Sequence, residues 1–316
     1  MRRPFLLVLR ALGLGDLLTA VPALRGLRAA FPGHRLVLAA PGALEPLVRV
    51  ADAADEVVDT APLAPLDRAV REPDVAVNLH GRGPESHRAL LAARPRRLLA
   101  FANPDVPESA GLPAWRAHEH EVERWCGLLR DLGVPSDPAD LRLDPRRLPP
   151  APAARGATIV HPGAASGARR WPADRFAAVA RRERRAGRSV LVTGAAAEAP
   201  LARAVAAEAG LPPAAVLAGR TGLVELAGVV AGAGRVVCGD TGVAHLATAL
   251  RTPSVVLFGP TPPALWGPRG DERHRVLWAG VPGDPHAPEP GPGLLALGVE
   301  DVLRELGELD RLRRAA

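Results

Sequence analysis

Val236-Val237-Cys238-Gly239-Asp240-Thr241-Gly242-Val243-Ala244-His245-Leu246 is the stretch that decides the fold. An apolar run stops at Gly239 and meets an acid, a hydroxyl and a second glycine before a helical pattern begins. A buried parallel strand delivers polar groups to the carboxyl edge of its sheet in this way. Thr241 and Gly242 sit where a helix start leaves backbone N–H groups unused. Those groups, with the helix dipole behind them, attract anions such as phosphate. The stretch predicts a turn for a phosphorylated ligand whose hydroxyls Asp240 can hold. The plainer alternative is a capped helix with a satisfied His245.

Outward from this turn, short apolar runs alternate with helical patterns along the 316 residues. Strands are expected at Phe5–Leu9, Leu36–Ala40, Val75–Leu79 and Leu98–Phe101, and helices over Asp16–Phe31 and Glu121–Leu132. Asp144 to Ala154 holds four prolines, too many for a helix or a central strand, and reads as a linker. The pattern restarts with strands at Thr158–His161, Ser189–Thr193, Val216–Leu217, Val236–Cys238 and Ser254–Phe258. Helices are expected over Pro172–Ala186, Glu198–Ala209, Leu223–Ala231, Val243–Leu250 and Val299–Arg314. Strand–helix alternation on both sides of a Pro-rich hinge predicts an α/β fold of two doubly wound parallel-sheet domains facing across a cleft. The expected division is 1–148, then 155–298, then a closing helix over 299–316.

Composition excludes several chemistries. All 40 basic residues are Arg, and no Lys is present. A Walker A loop needs its Lys on the phosphates, and a Schiff-base enzyme needs an amine nucleophile. The formal charge is +6, but the Arg clusters lack interleaved aromatics and read as solvated helix faces, so no nucleic-acid partner is expected. Cys126 and Cys238 make no metal-ligand spacing, which predicts no metal site and suits a reducing cytoplasm. Phe5–Leu9 is too short for a signal segment, and no window approaches a membrane span.

Four further motifs carry chemistry. Gly13-Leu14-Gly15-Asp16 joins the first strand to the first helix. Asp16 is either a helix cap or a carboxylate able to take a proton from a hydroxyl. Position 18 is Leu where a dinucleotide fingerprint needs glycine, which argues against a nicotinamide dehydrogenase. Asn78-Leu79-His80-Gly81-Arg82 ends another first-domain strand, and His80 or Arg82 can touch an acceptor; Gly15 is also expected on the acceptor side. In His161-Pro162-Gly163-Ala164 the small residues let main chain approach a ligand, and Arg169 then supplies a fork of donors suited to phosphate. Glu198, after Thr193-Gly194, can accept both hydroxyls of a ribose or can simply favour a helix N-terminus.

In this order the motifs resemble glycosyltransferase family 9, the bacterial lipopolysaccharide heptosyltransferase family. The resemblance rests on three runs. The first is Leu9-Arg10-Ala11-Leu12-Gly13-Leu14-Gly15-Asp16 with Pro22-Ala23-Leu24. The second is His161-Pro162-Gly163 continuing to Arg169-Arg170-Trp171-Pro172. The third is Gly239-Asp240-Thr241-Gly242 with His245, continuing to Thr252-Pro253 and Phe258-Gly259-Pro260-Thr261. It covers residues 5–268. It implies a GT-B fold and metal-independent, inverting sugar transfer without a cofactor, typically from ADP-heptose, to a glycan or glycolipid acceptor. On this resemblance Asp16 is the general base and Asp240 holds donor-sugar hydroxyls. Gly163, Ala164, Arg169, Thr241, Gly242, Val243 and His245 lie on the donor, and Glu198 takes the ribose. The closing helix packs back on the first domain. The family usually has Lys where this chain has Arg169. A cytoplasmic enzyme with peripheral contact at the inner membrane face is the expected setting. The sequence does not give the oligomeric state. Rival readings are a sugar-nucleotide epimerase on the same architecture and a non-catalytic nucleotide-sugar-binding protein.

Overall fold

In the computed structural model, residues 3–315 are described and form two compact units, which divide between Leu141 and Arg142. The first unit runs β1 (Phe5–Leu9), α1 (Leu14–Ala30), β2 (Arg35–Ala40), α2 (Glu45–Ala51), β3 (Glu56–Asp59), β4 (Val75–Asn78), α3 (Glu85–Leu91), β5 (Arg97–Leu99) and α4 (Glu121–Asp131). Its sheet is wholly parallel in the order β3-β2-β1-β4-β5. All five residues of β1 are buried, as a strand covered on both faces requires. The chain leaves β1 for β2 and β3, then crosses to β4 on the other side. That reversal opens a crevice between β1 and β4, where Leu9 pairs with Asn78. The turn carrying Asp16 and the turn carrying His80 are therefore neighbours.

The second unit repeats the logic. Its elements are β6 (Thr158–His161), α5 (Ala173–Arg185), β7 (Val190–Val192), α6 (Ala199–Glu208), α7 (Leu223–Gly232), β8 (Arg235–Gly239), α8 (Gly242–Leu250), β9 (Ser254–Leu257), α9 (Pro263–Trp266), β10 (His274–Leu277), α10 (Pro292–Leu295) and α11 (Val299–Ala315). The sheet is again wholly parallel, in the order β10-β9-β8-β6-β7. Here the order reverses between β6 and β8, where His161 pairs with Cys238. The loops after His161 and after Gly239 thus leave the sheet side by side.

Several expectations need correction. Val216–Leu217 is not a strand but a single bridge, Val192 to Val216, because a short 3-10 turn at Pro213–Ala215 leads straight into it. The edge strands β3 and β10 were not expected. The Pro-rich stretch is not a free linker. Leu143 N donates to Ala249 O at 3.0 Å, and the Pro152–Ala154 turn packs on α7, so it belongs to the second unit. Within the second unit the closing helix is anchored to the sheet. Arg235, buried at the start of β8, donates to Leu306 O at 3.1 Å and pairs with Asp310, and Arg275 pairs with Glu305 at 2.7 Å. A buried cation in β8 needs these acceptors, which fixes α11 against that sheet.

Candidate active site

Asp16 stands in the first turn of α1, 27% exposed. Its Oδ2 accepts the Gly13 N–H at 3.2 Å, so it does cap the helix. Beneath it lies Arg10, whose side chain is only 1% exposed. The Arg10 Nη2 donates to Glu121 Oε1 at 2.9 Å, to Asp16 Oδ1 at 3.3 Å and to Thr19 Oγ1 at 3.4 Å. Its Nε donates to the Asp16 carbonyl at 3.1 Å, and its Nη1 to the Leu79 carbonyl. Burial holds the Asp16 carboxyl above the ordinary carboxylate range. The Arg10 cation opposes that shift, and the Glu121 charge reinforces it. A carboxylate of raised proton affinity on an accessible turn is better suited to accepting a proton than an ordinary carboxylate.

His80, across the crevice, is half-buried, and its N–H donates to Asn78 Oδ1 at 3.0 Å. Burial, and then the Arg10 cation, keep its imidazole less basic than usual. Its Nδ1 is shielded and has no hydrogen-bond partner among the described residues. Arg82 is exposed, and its carbonyl accepts from Asn103 Nδ2 at 2.9 Å. The second histidine of this region, His87, is committed inside the unit, between Asn78 Nδ2 at 3.0 Å and the Phe101 carbonyl at 2.7 Å.

The second unit gathers a different set of groups. Thr241 caps α8, and its Oγ1 accepts the Val243 N–H at 3.3 Å. The Val243 amide is thus spent on the cap. Thr241 and Gly242, at the cap and the first helical position, leave their amides outside the helix's own bonds. Asp240, before them, is 5% exposed and is held by its own N–H to Leu257 O at 3.1 Å. Arg169 lies against this turn. A Cβ on Gly239 would come within 2.8 Å of the Arg169 carbonyl, so only glycine permits the approach. The Arg169 Nη1 reaches the Asp240 carbonyl at 3.5 Å, and its shielded Nε has no partner among the described residues. Its donors therefore remain largely uncommitted, as an anion site requires.

Glu198 Oε2 accepts the Ala195 N–H at 2.8 Å, so this carboxylate serves its helix start. It also lies over Gly163, where a side-chain carbon would overlap it. Gly163 and Ala164 are buried, and the Ala164 carbonyl is held by Arg170 Nε at 2.9 Å. His161 closes this corner, with its Nδ1 2.9 Å from Thr193 Oγ1, and burial pushes its imidazole down to about 4. His245 stacks edge-on against Trp266 with ring centres 5.9 Å apart. Gly163, Glu198, Arg169 and Asp240–His245 thus share one sheet edge, while Gly15, Asp16 and His80 share another. A cavity of about 640 Å³ opens elsewhere, at the amino edge of the second sheet, beside Arg235 and Arg273. Those cations are already paired with Asp310 and Asp271, so the cavity does not compete as the reactive site. No group of three His, Cys, Asp or Glu side chains gathers as metal ligands among the described residues.

Comparison with known proteins gives this geometry its context. Residues 112–285 match glycosyltransferase family 9 (heptosyltransferase). The chain belongs to this family. Over 157 residues it is 40% identical to lipopolysaccharide heptosyltransferase 1 of Pseudomonas aeruginosa, across 48% of this chain and 43% of that relative. The chain thus matches less than half the length of that curated relative. Among solved structures, E. coli ADP-heptose lps heptosyltransferase II superposes with a TM-score of 0.77 at 22% identity, covering 99% of this chain and 100% of the other. An E. coli heptosyltransferase with ADP-2-deoxy-2-fluoro heptose gives 0.71 at 20% identity, covering 96% and 99%. At these identities the superpositions establish the fold, GT-B, for the family member described here.

Two residues of the first site were not assigned from sequence. Arg10 and Glu121 are 111 positions apart. One signal was available: Arg10 directly follows the five apolar residues of β1, and a charge placed there must find a buried partner.

Proposed function

We propose that this chain is an inverting glycosyltransferase that moves a heptose-like sugar from a nucleoside-diphosphate sugar, ADP-linked, to a glycan or glycolipid acceptor. The reading is supported most by Asp16: an accessible carboxylate of raised proton affinity at the crevice of its sheet, in a member of a heptosyltransferase family. In the reaction, the acceptor hydroxyl gives its proton to the Asp16 carboxylate. Its oxygen forms the new bond to the anomeric carbon. The bond from that carbon to the diphosphate breaks, and the electron pair leaves with the nucleoside diphosphate.

In the second unit, Arg169 and the amides at Thr241–Gly242 take the charge that develops on the departing diphosphate, so no resident metal is needed for that task. The Val243 amide is less suited, because the Thr241 hydroxyl already holds it. Asp240 and His245 face the donor sugar, Gly163 and Ala164 let it approach the main chain, and Glu198 takes the ribose. Gly15, His80 and Arg82 serve the acceptor, and His80 Nδ1 is the group there with an unmet hydrogen bond. No helix among the described residues is long and apolar enough to cross a membrane. A glycolipid acceptor therefore brings the protein to the inner membrane face by peripheral contact.

The test is incubation with ADP-heptose, with and without a heptose-accepting glycolipid, in buffer containing a chelator. Acceptor-dependent ADP release with inversion at the anomeric carbon is the expected result. Isomerised sugar from donor alone would replace the reading with an epimerase. Saturable nucleotide binding without any product would leave a binding protein.

A further inference from the structure

We infer that Glu121 is a positioning residue that sets the proton affinity of Asp16, by holding the Arg10 guanidinium back from it. The inference deepens the proposed function, because it rests on Asp16 acting as the base.

A buried arginine beside a carboxylate ordinarily closes into a short paired contact, which stabilises the anion and makes it a poor base. Arg10 makes only a long contact with the Asp16 carboxylate. Its nearest carboxylate contact is Glu121, at 2.9 Å, and the Asp16 contact is longer, at 3.3 Å. The Leu79 carbonyl holds the other end of the guanidinium, and the Trp125 ring lies 4.9 Å beneath it. Arg10 is therefore held by Glu121, the Leu79 carbonyl and the Asp16 main-chain carbonyl, with the Asp16 carboxylate its more distant carboxylate partner.

Glu121 is itself locked. Its side chain is 5% exposed, Trp125 Nε1 donates to its Oε1 at 2.8 Å, and Arg124 pairs with its Oε2. Arg124 is held in turn by the Glu119 carbonyl at 2.7 Å and lies 4.5 Å from the Trp115 ring. Two cations and two carboxylates thus stand in the order Asp16, Arg10, Glu121, Arg124. His80 also faces them, its imidazole made less basic than usual by burial and then by the Arg10 cation, and Thr19 adds only a hydroxyl. In this row the Glu121 charge neutralises much of what Arg10 would otherwise impose on Asp16. The Glu121 charge also acts on Asp16 directly in the same direction. Arg124 does the reverse, by drawing on Glu121.

The row makes opposite predictions for its two outer members, which a purely structural role would not. Glu121→Gln turns the Arg10 charge toward Asp16, and the proton affinity of Asp16 falls on the order of threefold. Arg124→Met releases Glu121, and the proton affinity rises. Glu121→Asp keeps the charge and shifts the titration less than Glu121→Gln does. The experiment reads the Asp16 carboxyl directly, by ¹³C NMR titration of full-length protein labelled at aspartate. The Asp16 resonance is the one missing from Asp16→Asn. The acid limb of kcat/KM against pH is recorded for the same variants.

The expected result is a titration moved to lower pH in Glu121→Gln and to higher pH in Arg124→Met, with the acid limb following each. Unmoved titrations in folded variants, or shifts of the same sign, would overturn the inference. If Glu121→Gln does not fold, Arg124→Met decides alone: an upward shift supports the tuning and no shift removes it. If the NMR titrations move as expected and the acid limbs do not, the tuning stands and the assignment of Asp16 as base falls.

Discussion

The two sheet edges meet their tasks by opposite means. Around Asp16 the first unit assembles full charges at close quarters, with Arg10, Glu121 and Arg124 all under 10% exposed. Around Asp240 the second unit works mainly with space and backbone. Glycines at 163 and 239 admit main chain and side chains that a Cβ would exclude, and a threonine cap leaves two amides over. On the proposed function, the difference follows from what each site would recognise. Proton affinity is set by the balance of neighbouring charges, and a small imbalance moves it. A diphosphate carries its own charge, and fixed dipoles with one arginine suffice to hold it.

The comparison can be broken at several points. The largest effect is expected from Asp16→Asn, which removes the proton acceptor and should lower transfer by roughly 10²- to 10⁴-fold in a steady-state assay. In the wild type the same assay should lose activity as pH falls through the titration of Asp16, which lies above the ordinary carboxylate range. Next comes Arg169→Met. Loss of the main cation on the leaving group should lower kcat/KM by roughly 10²- to 10³-fold, with the deficit shared between kcat and donor KM. Gly163→Ala should follow, because the new methyl overlaps the Glu198 carboxylate. That carboxylate ends a flexible, half-buried side chain that can move aside, so the expected readout is a raised donor KM with little change in the unfolding midpoint.

The smallest effect sharpens the contrast through stability. Burial pushes His161 and His274 down to about 4, well below the value of an unfolded histidine. Between about pH 6.5 and pH 4 the unfolded chain therefore binds more protons than the folded one. Stability should fall on acidification through that window and be lost from these groups by about pH 4. His274→Gln should remove on the order of 1 kcal/mol of the fall between pH 7 and pH 5.5, measured by denaturant titration.

What was legible in the sequence follows from the same physics. Central strands such as β1 and β8 are covered on both faces, so each reads as an unbroken apolar run that ends at a glycine or a charge. Edge strands have one open side. The pattern shrinks to Val57-Val58 between two acids in β3, and to Val276-Leu277 after His274-Arg275 in β10. The turns that carry Asp16 and Asp240 were legible because each follows a buried apolar run at the carboxyl edge of its sheet. Arg10 and Glu121 were not assigned, because their meaning lies in a contact 111 residues apart that no local spacing encodes. The prolines of 144–154 misled for a related reason. Proline excludes regular structure but does not say whether the segment is free or is packed, as here against α7.

The division of labour between the two units is tested most directly by calorimetric titration of ADP into Asp16→Asn and Arg169→Met. The account predicts that Asp16→Asn binds ADP as the wild type does while transferring no sugar, and that Arg169→Met loses affinity. An Asp16→Asn protein that turns over normally, or that loses ADP binding while Arg169→Met keeps it, would contradict the account.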